Sequence, residues 1–315
     1  MRRIATFDAE QALPPRRVVP VRSEDGVRLH TEVFGPEGGA PIVLAHGITC
    51  ALRVWANQIA DLARDHRVIA FDHRGHGRSG VPPRRTGYSL DLLAADLDAV
   101  LAATIGEDER AVIAGHSMGG IAITSWARRY PAQVAQRAAA VALINTTTGD
   151  LLRDVRFLPV PQRLAATRVL AAGTMLKRFG ATPLPAAAHR ANRRFISALA
   201  VGRTADPAVA RFVYELFAGT PPAGRGGWAA VLVDNLGPNH IGLEHLTVPT
   251  LVIGSTQDRL LPITSSRRIA ELVPRLESFL ELPGGHCAIL ERPREVNQAL
   301  RALADSAFGS QRATS

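Results

Sequence analysis

Along most of the chain the apolar positions switch between two periods. Continuous apolar runs of strand length stand at Pro41–His46, Arg67–Asp72, Ala111–Ala114 and Ala140–Asn145, each ending in a glycine-rich or polar break. Runs this short, rich in Val and Ile, read as strands buried on both faces. Ahead of them Val18–Val21 and Val27–Phe34 flank Ser23-Glu-Asp-Gly26, which predicts a β-hairpin. Helical spacing fills the intervals. Val54–Arg64 is one such stretch. Ser89 is placed to cap a second, whose Leu90, Leu93, Ala94, Leu97, Val100 and Leu101 share a face. Met118–Arg129 is a third, stopped by Pro131. Alternation resumes at Pro249–Ser255 and Ser278–Leu282 and ends in a helix near Pro293–Ala304. The pattern predicts an α/β fold: a mostly parallel central sheet flanked by helices, with reactive groups beyond the carboxyl ends of its strands.

The alternation fails between about Thr148 and Val231, where helices appear without a convincing strand. Arg190–Val201 groups Phe195, Ile196 and Leu199 on one side of a short basic helix. Asp206-Pro207 starts another, with Val209, Phe212, Val213, Leu216 and Phe217 on one stripe. Thr220-Pro-Pro-Ala-Gly-Arg-Gly-Gly227 reads as a loop able to flex. The expected organisation is therefore an N-terminal tail over 1–16, a core over 17–147 and 232–308, a helical lid insertion over 148–231 and a C-terminal tail over 309–315.

Composition sharpens this in two places. With 46% hydrophobic and 21% charged residues the chain is of globular type, and no apolar run reaches the roughly 18 residues of a membrane span. Met1-Arg-Arg-Ile-Ala starts basic but has no apolar block behind it, so a cytoplasmic location is expected. The net charge of +9 is concentrated in the insertion, where Leu151–Ala230 holds twelve basic and three acidic residues. No nucleic-acid recognition motif accompanies these arginines. A solvated basic face explains them, and the sharper reading is attraction through the basic lid toward an anionic membrane, in weak contact, or toward an acidic substrate tail.

The chemistry centres on Gly115-His116-Ser117-Met118-Gly119, a G-x-S-x-G pattern between a strand and a helix. A serine hydroxyl is a weak nucleophile, and a sharp strand-to-helix turn presents it to a base. The base and the carboxylate that orients it belong on later loops. Asp258 follows the strand ending at Ser255, and His286 follows the strand ending at Leu282, giving the order Ser117, Asp258, His286. Asp150 competes for the acid role, but Asn145 holds the nearer position after the preceding strand, which favours Asp258. His73 and His76 with Asp72 suggest a metal cluster, although a tight glycine turn tied together by Arg74 and Ser79 accounts for them without a complete ligand set, and His46, ahead of Gly47, reads as structural rather than catalytic. His116 reads as packing, and His240 and His245 as surface residues or groups at the site's mouth. Cys50 and Cys287 read as small core residues whose loops could line one pocket.

Taken together, His46-Gly47 with Trp55, Asp72-x-Arg-Gly-x-Gly-x-Ser79, the G-x-S-x-G turn, Val248–Gly254 with Asp258, and Gly285-His286 resemble the α/β-hydrolase superfamily, in its lidded serine esterase and cofactor-free haloperoxidase-like branch. The resemblance covers roughly Val18–Phe308. It implies an oxyanion hole made by the backbone N–H groups of Met118 and Ile48, and neither cofactor nor metal. A serine at the attacking position argues against dehalogenase or epoxide hydrolase chemistry, where an aspartate attacks. The expected function is cleavage of small to medium apolar carboxylic esters through an acyl-enzyme. Perhydrolysis or haloperoxidation, and thioester, lactone or carbon–carbon bond hydrolysis, are the enzymatic alternatives. A binding or scaffold protein that kept the fold is the non-enzymatic one, disfavoured because all three triad members are present.

Overall fold

The computed structural model describes residues 13–154, 173–174, 180–182 and 189–312. Eight strands form one sheet: β1 Arg16–Arg22, β2 Arg28–Phe34, β3 Pro41–Ala45, β4 Arg67–Phe71, β5 Ala111–His116, β6 Ala138–Ile144, β7 Thr250–Ser255 and β8 Leu276–Leu282. Their order is β1-β2-β4-β3-β5-β6-β7-β8. β2 runs antiparallel to both β1 and β4, and every other neighbouring pair is parallel. The hairpin predicted around Ser23–Gly26 is the β1–β2 pair, with Gly26 at φ 83 in its turn. Strand β1 begins at Arg16, the last residue of the expected tail, and residues 1–12 lie outside the described residues.

The helical elements are α1 Ala56–Leu62, α2 Leu90–Thr104, α3 Met118–Arg129, α4 Pro131–Arg137, α5 Leu151–Asp154, α6 His189–Ala200, α7 Pro207–Gly219, α8 Pro222–Asn235, α9 Ile263–Leu272, α10 Ala288–Glu291 and α11 Pro293–Arg312. The Ser89 hydroxyl accepts from Leu92 N, and the Asp206 carboxylate from Ala208 N, so both predicted starts are capped as expected. Helices α4 and α9 have few apolar residues to mark them in the sequence: α4 buries only Val134, and α9 buries Ile269 beside Ser265 and Ser266.

The two-residue period of the strands sorts the core into two layers. Ile42, Leu44, Val68, Ala70, Val112 and Ala114 pack with Trp55, Ile59 and, from α11, Leu300. The residues between them, Val43, Ile69, Phe71 and Ile113, face the other way against Leu97 of α2 and Trp126 of α3. A continuous apolar strand is the sequence trace of this double burial. No helix among the described residues is long and apolar enough to cross a membrane.

Three expectations need correction. The 220–227 segment is not a loop, because α8 starts at Pro222 and runs to Asn235, through the expected 231/232 boundary. Its glycines serve close approach: a Cβ on Gly224 would meet the Gly75 backbone, and one on Gly227 would come within 2.6 Å of the Tyr88 ring. The C-terminal helix continues to Arg312, beyond both Ala304 and the expected tail boundary. Nor is the basic insertion wholly a solvated face: Arg193, Arg194, Arg203 and Arg211 are exposed, but Arg225 is buried. Arg156, Arg163, Arg168, Lys177 and Arg178 fall outside the described residues.

Candidate active site

The turn between β5 and α3 holds Ser117 at φ 55, ψ −118, a conformation that L-residues rarely adopt. Hydrogen bonds hold it there: Ser117 N donates to Ile144 O at 3.0 Å, and Ser117 O accepts from Gly120 N at 2.9 Å and Thr146 Oγ1 at 2.8 Å. Gly119 abuts the Ala45 carbonyl and Gly115 abuts Gly119, so a side chain at either would push strand and helix apart. These contacts are why the motif needs glycine on both sides of its serine.

Asp258, on the loop after β7, is 6% exposed and surrounded by four donors. Its Oδ1 accepts from Leu260 N at 2.9 Å and Leu261 N at 2.8 Å. Its Oδ2 lies 3.0 Å from Asn145 Nδ2 and 2.8 Å from His286 Nδ1. A carboxylate flanked this way only accepts, so the proton of His286 sits on Nδ1 and the Nε2 lone pair is left open. Ser117 and His286 both line one cavity of about 420 Å³. Among the described residues the Ser117 hydroxyl forms no hydrogen bond to the imidazole. Such contacts commonly tighten only when substrate binds.

The turn after β3 completes the floor. A Cβ on Gly47 would lie 3.1 Å from the Ser117 Cβ, so this turn packs against the serine. Met118 is the first residue of α3, where a backbone N–H has no partner within the helix. Among the described residues neither Met118 N nor Ile48 N donates a hydrogen bond. Asp150 is not part of this group: its carboxylate lies 3.3 Å from His240 Nε2, and neither residue lines the cavity. His245 also lies away from the cavity, 3.8 Å from Glu244.

The histidine cluster is a clamp on the loop after β3. His76 Nε2 accepts from Thr49 N at 3.0 Å, and its Nδ1 faces Arg74 O at 3.2 Å. His46 Nε2 accepts from His73 N at 3.0 Å, and its Nδ1 faces Gly47 O at 2.7 Å. Asp72 Oδ1 accepts from Leu52 N at 2.7 Å. Both ring nitrogens of His46 and of His76 are thus committed to backbone. Among the described residues no three His, Cys, Asp or Glu side chains are grouped to hold a metal ion. Burial keeps these rings neutral, pushing His73 down to about 3 and His76 to about 4.

Two residues do more than their positions in the sequence suggested. Asn145 shares Asp258 Oδ2 with the imidazole instead of merely displacing an acid from its own position. His116 is a tether as well as packing: its Nε2 donates to His286 O at 2.8 Å, and its ring centroid lies 4.9 Å from that of His286. Burial, and then the neighbouring His286, pushes His116 down to about 3. The signal for both is only that a polar residue follows a buried strand or ends one. Cys50 and Cys287 are buried, unpaired and both in the cavity wall. Burial raises Cys50 to about 12 and Cys287 well above its usual value, so both remain thiols.

A family model described as the alpha/beta hydrolase fold matches residues 40–293. Among curated relatives, the chain is 30% identical over 275 residues to a protein named as carbamate hydrolase RutD of Variovorax paradoxus, covering 86% of this chain and 94% of that one. It is 41% identical over 119 residues to a non-heme chloroperoxidase of Streptomyces lividans, covering 37% of this chain and 41% of the relative. Among solved structures, a thermophilic esterase from Thermogutta terrifontis superposes with a TM-score of 0.72 at 23% identity, over 93% of this chain and 99% of that one. The fold, its sheet order and the family match agree, and the chain belongs to the alpha/beta hydrolase fold family of enzymes.

Proposed function

We propose that the protein is a serine hydrolase of carboxylic esters, with Ser117 as nucleophile, His286 as general base and acid, and Asp258 as the carboxylate that orients the imidazole. The observation that carries this reading is the 2.8 Å contact of Asp258 with His286 Nδ1, which leaves Nε2 basic and beside the cavity where Ser117 stands on its strained turn. In the first step His286 Nε2 takes the Ser117 proton while Oγ attacks the ester carbonyl. The oxyanion is met by the N–H groups of Met118 and Ile48, at the amino end of α3, where the helix dipole favours negative charge. Collapse expels the alcohol, which receives the proton from His286. Water then attacks the acyl-enzyme with His286 again as base, and the acid leaves.

The cavity wall supports an apolar substrate, since Ile121, Leu152, Ile196, Leu199, Phe217 and Leu232 line it. The test is hydrolysis of short 4-nitrophenyl esters by the purified chain. Ser117→Ala is expected to lower turnover by about 10⁴-fold or more, and equal rates for both proteins would dismiss the reading. Halogenation of monochlorodimedone in acetate and peroxide, run beside hydrolysis, separates the esterase from the haloperoxidase chemistry that the same residues would serve.

A further inference from the structure

The cavity wall is mostly apolar, with neutral polar groups at Ser117, His286, Thr49 and Asn192. Among the described residues that line it, Arg225 is the one side chain carrying a permanent charge. Helix α8 turns one face to the cavity through Arg225, Ala229, Leu232 and Val233, spaced i, i+4, i+7 and i+8. The arginine is 7% exposed. Its Nε donates to Gly180 O at 2.9 Å and its Nη2 to Thr182 O at 2.5 Å, while Cζ lies 5.3 Å from the centre of the Phe217 ring. Among the described residues no carboxylate pairs with it, and Nη1 has no hydrogen bond.

A buried cation without a counter-ion is a costly arrangement, and burial here weakens the group's hold on its proton. Its place in the first turn of α8 adds to the cost, because the helix dipole is positive at that end. Joining two carbonyl oxygens does not explain a charge, since a neutral amide side chain donates as well without one. With Nε and one N–H of Nη2 held by those carbonyls, what the guanidinium supplies beyond an amide is its charge and the remaining fork of Nη1 and the second Nη2 hydrogen, which matches a carboxylate.

We propose that Arg225 is the anion-recognition group of this cavity, and that the natural substrates are esters carrying a carboxylate remote from the scissile bond, with the apolar wall taking the aliphatic chain between. This rests on the reading of Ser117 as the nucleophile.

The test uses the purified full chain and two matched pairs of esters. On the acyl side, 4-nitrophenyl hexanoate is compared with mono-4-nitrophenyl adipate. On the alcohol side, hexyl acetate is compared with 6-acetoxyhexanoate. For at least one pair the unmodified protein is expected to hydrolyse the carboxylate-bearing ester at least as well as its neutral counterpart. Arg225→Met is expected to lower the carboxylate-to-neutral ratio of kcat/KM for that pair on the order of 10- to 100-fold, mainly through KM. Arg225→Lys, which keeps the charge without the fork, should recover part of it. The proposal is overturned if the unmodified protein disfavours both carboxylate esters by more than about tenfold. It is equally overturned if the ratio in Arg225→Met stays within about twofold of the unmodified value, as a purely structural staple would leave it. Where Arg225→Met does not fold, the unmodified protein and Arg225→Lys decide by the same ratios. Calorimetric binding of adipate to Ser117→Ala, expected to be lost in the Ser117→Ala/Arg225→Met double variant, reads the anion site without catalysis. No cleavage of any ester together with Arg225-dependent adipate binding would therefore fail the nucleophile reading, and with it the ester substrates, while leaving Arg225 as the anion-recognition group.

Discussion

Asn145 Nδ2 and His286 Nδ1 meet on a single oxygen, Asp258 Oδ2, at 3.0 and 2.8 Å. Asn145 follows β6 at φ 44, and its amide reaches across to the loop after β7, so it holds the same carboxylate oxygen as the imidazole. Removing it leaves Asp258 with its two backbone donors on Oδ1 and Oδ2 held by the imidazole alone. Asn145→Ala is expected to lower kcat/KM for a short ester about tenfold with little change in KM, matching the loss of one hydrogen bond to a charged group. Steady-state kinetics beside a thermal melt separate this from unfolding.

The backbone at Ser117 stores strain that a glycine would release. A non-glycine residue at φ 55, ψ −118 costs on the order of 1–3 kcal/mol, while glycine costs about 0.5–1 kcal/mol through the unfolded chain. Ser117→Gly is therefore expected to be inactive on esters yet more stable than the unmodified protein by about 1 kcal/mol. Urea unfolding at fixed pH measures it, and a less stable variant would show that the turn is not strained.

Buried neutral histidines set a direction for acid sensitivity. His73, His76 and His116 are pushed down to about 3, 4 and 3 by burial, whereas in the unfolded chain a histidine titrates near 6.5. Below that value the unfolded state binds more protons than the folded one. The stability they contribute is then complete above about pH 6.5 and is lost as pH falls toward 4, by up to about 1.4 kcal/mol per pH unit for each ring. Urea midpoints between pH 7.5 and 4.5 should fall accordingly. Replacing His76 by Gln, which keeps an acceptor for Thr49 N, should flatten the slope.

The contact of Gly224 with Gly75 distinguishes a packed helix start from a flexible loop. A methyl group there would overlap the Gly75 backbone. Gly224→Ala is expected to destabilise the protein by about 1–3 kcal/mol, seen as a lower melting temperature. In a free loop the same change would be neutral or stabilising.

Much of this protein was legible from local pattern. The buried strands, the Ser89 and Asp206 caps, and the order of Ser117, Asp258 and His286 are set by residues within a few positions of one another. Hydrophobic period and capping chemistry act over that range. The charge count in the insertion was equally plain, but it treated Arg225 as one basic residue among twelve.

What only the tertiary structure decided is which distant groups meet. Pro-Pro-Ala-Gly-Arg-Gly-Gly reads locally as a loop, because glycine and proline weaken helices, yet contacts with Gly75 and Tyr88 select small residues at those positions and a helix starts there. Asn145 and His116 look like bystanders until β6, β7 and β8 bring Asp258 and His286 beside them. Burial, the property that makes Arg225 informative, depends on Gly180 and Thr182, distant in sequence, and Phe217 of α7 packing around it. Sequence determined the parts and their order; long-range packing determined which of them share one cavity, because burial and desolvation arise only from the whole.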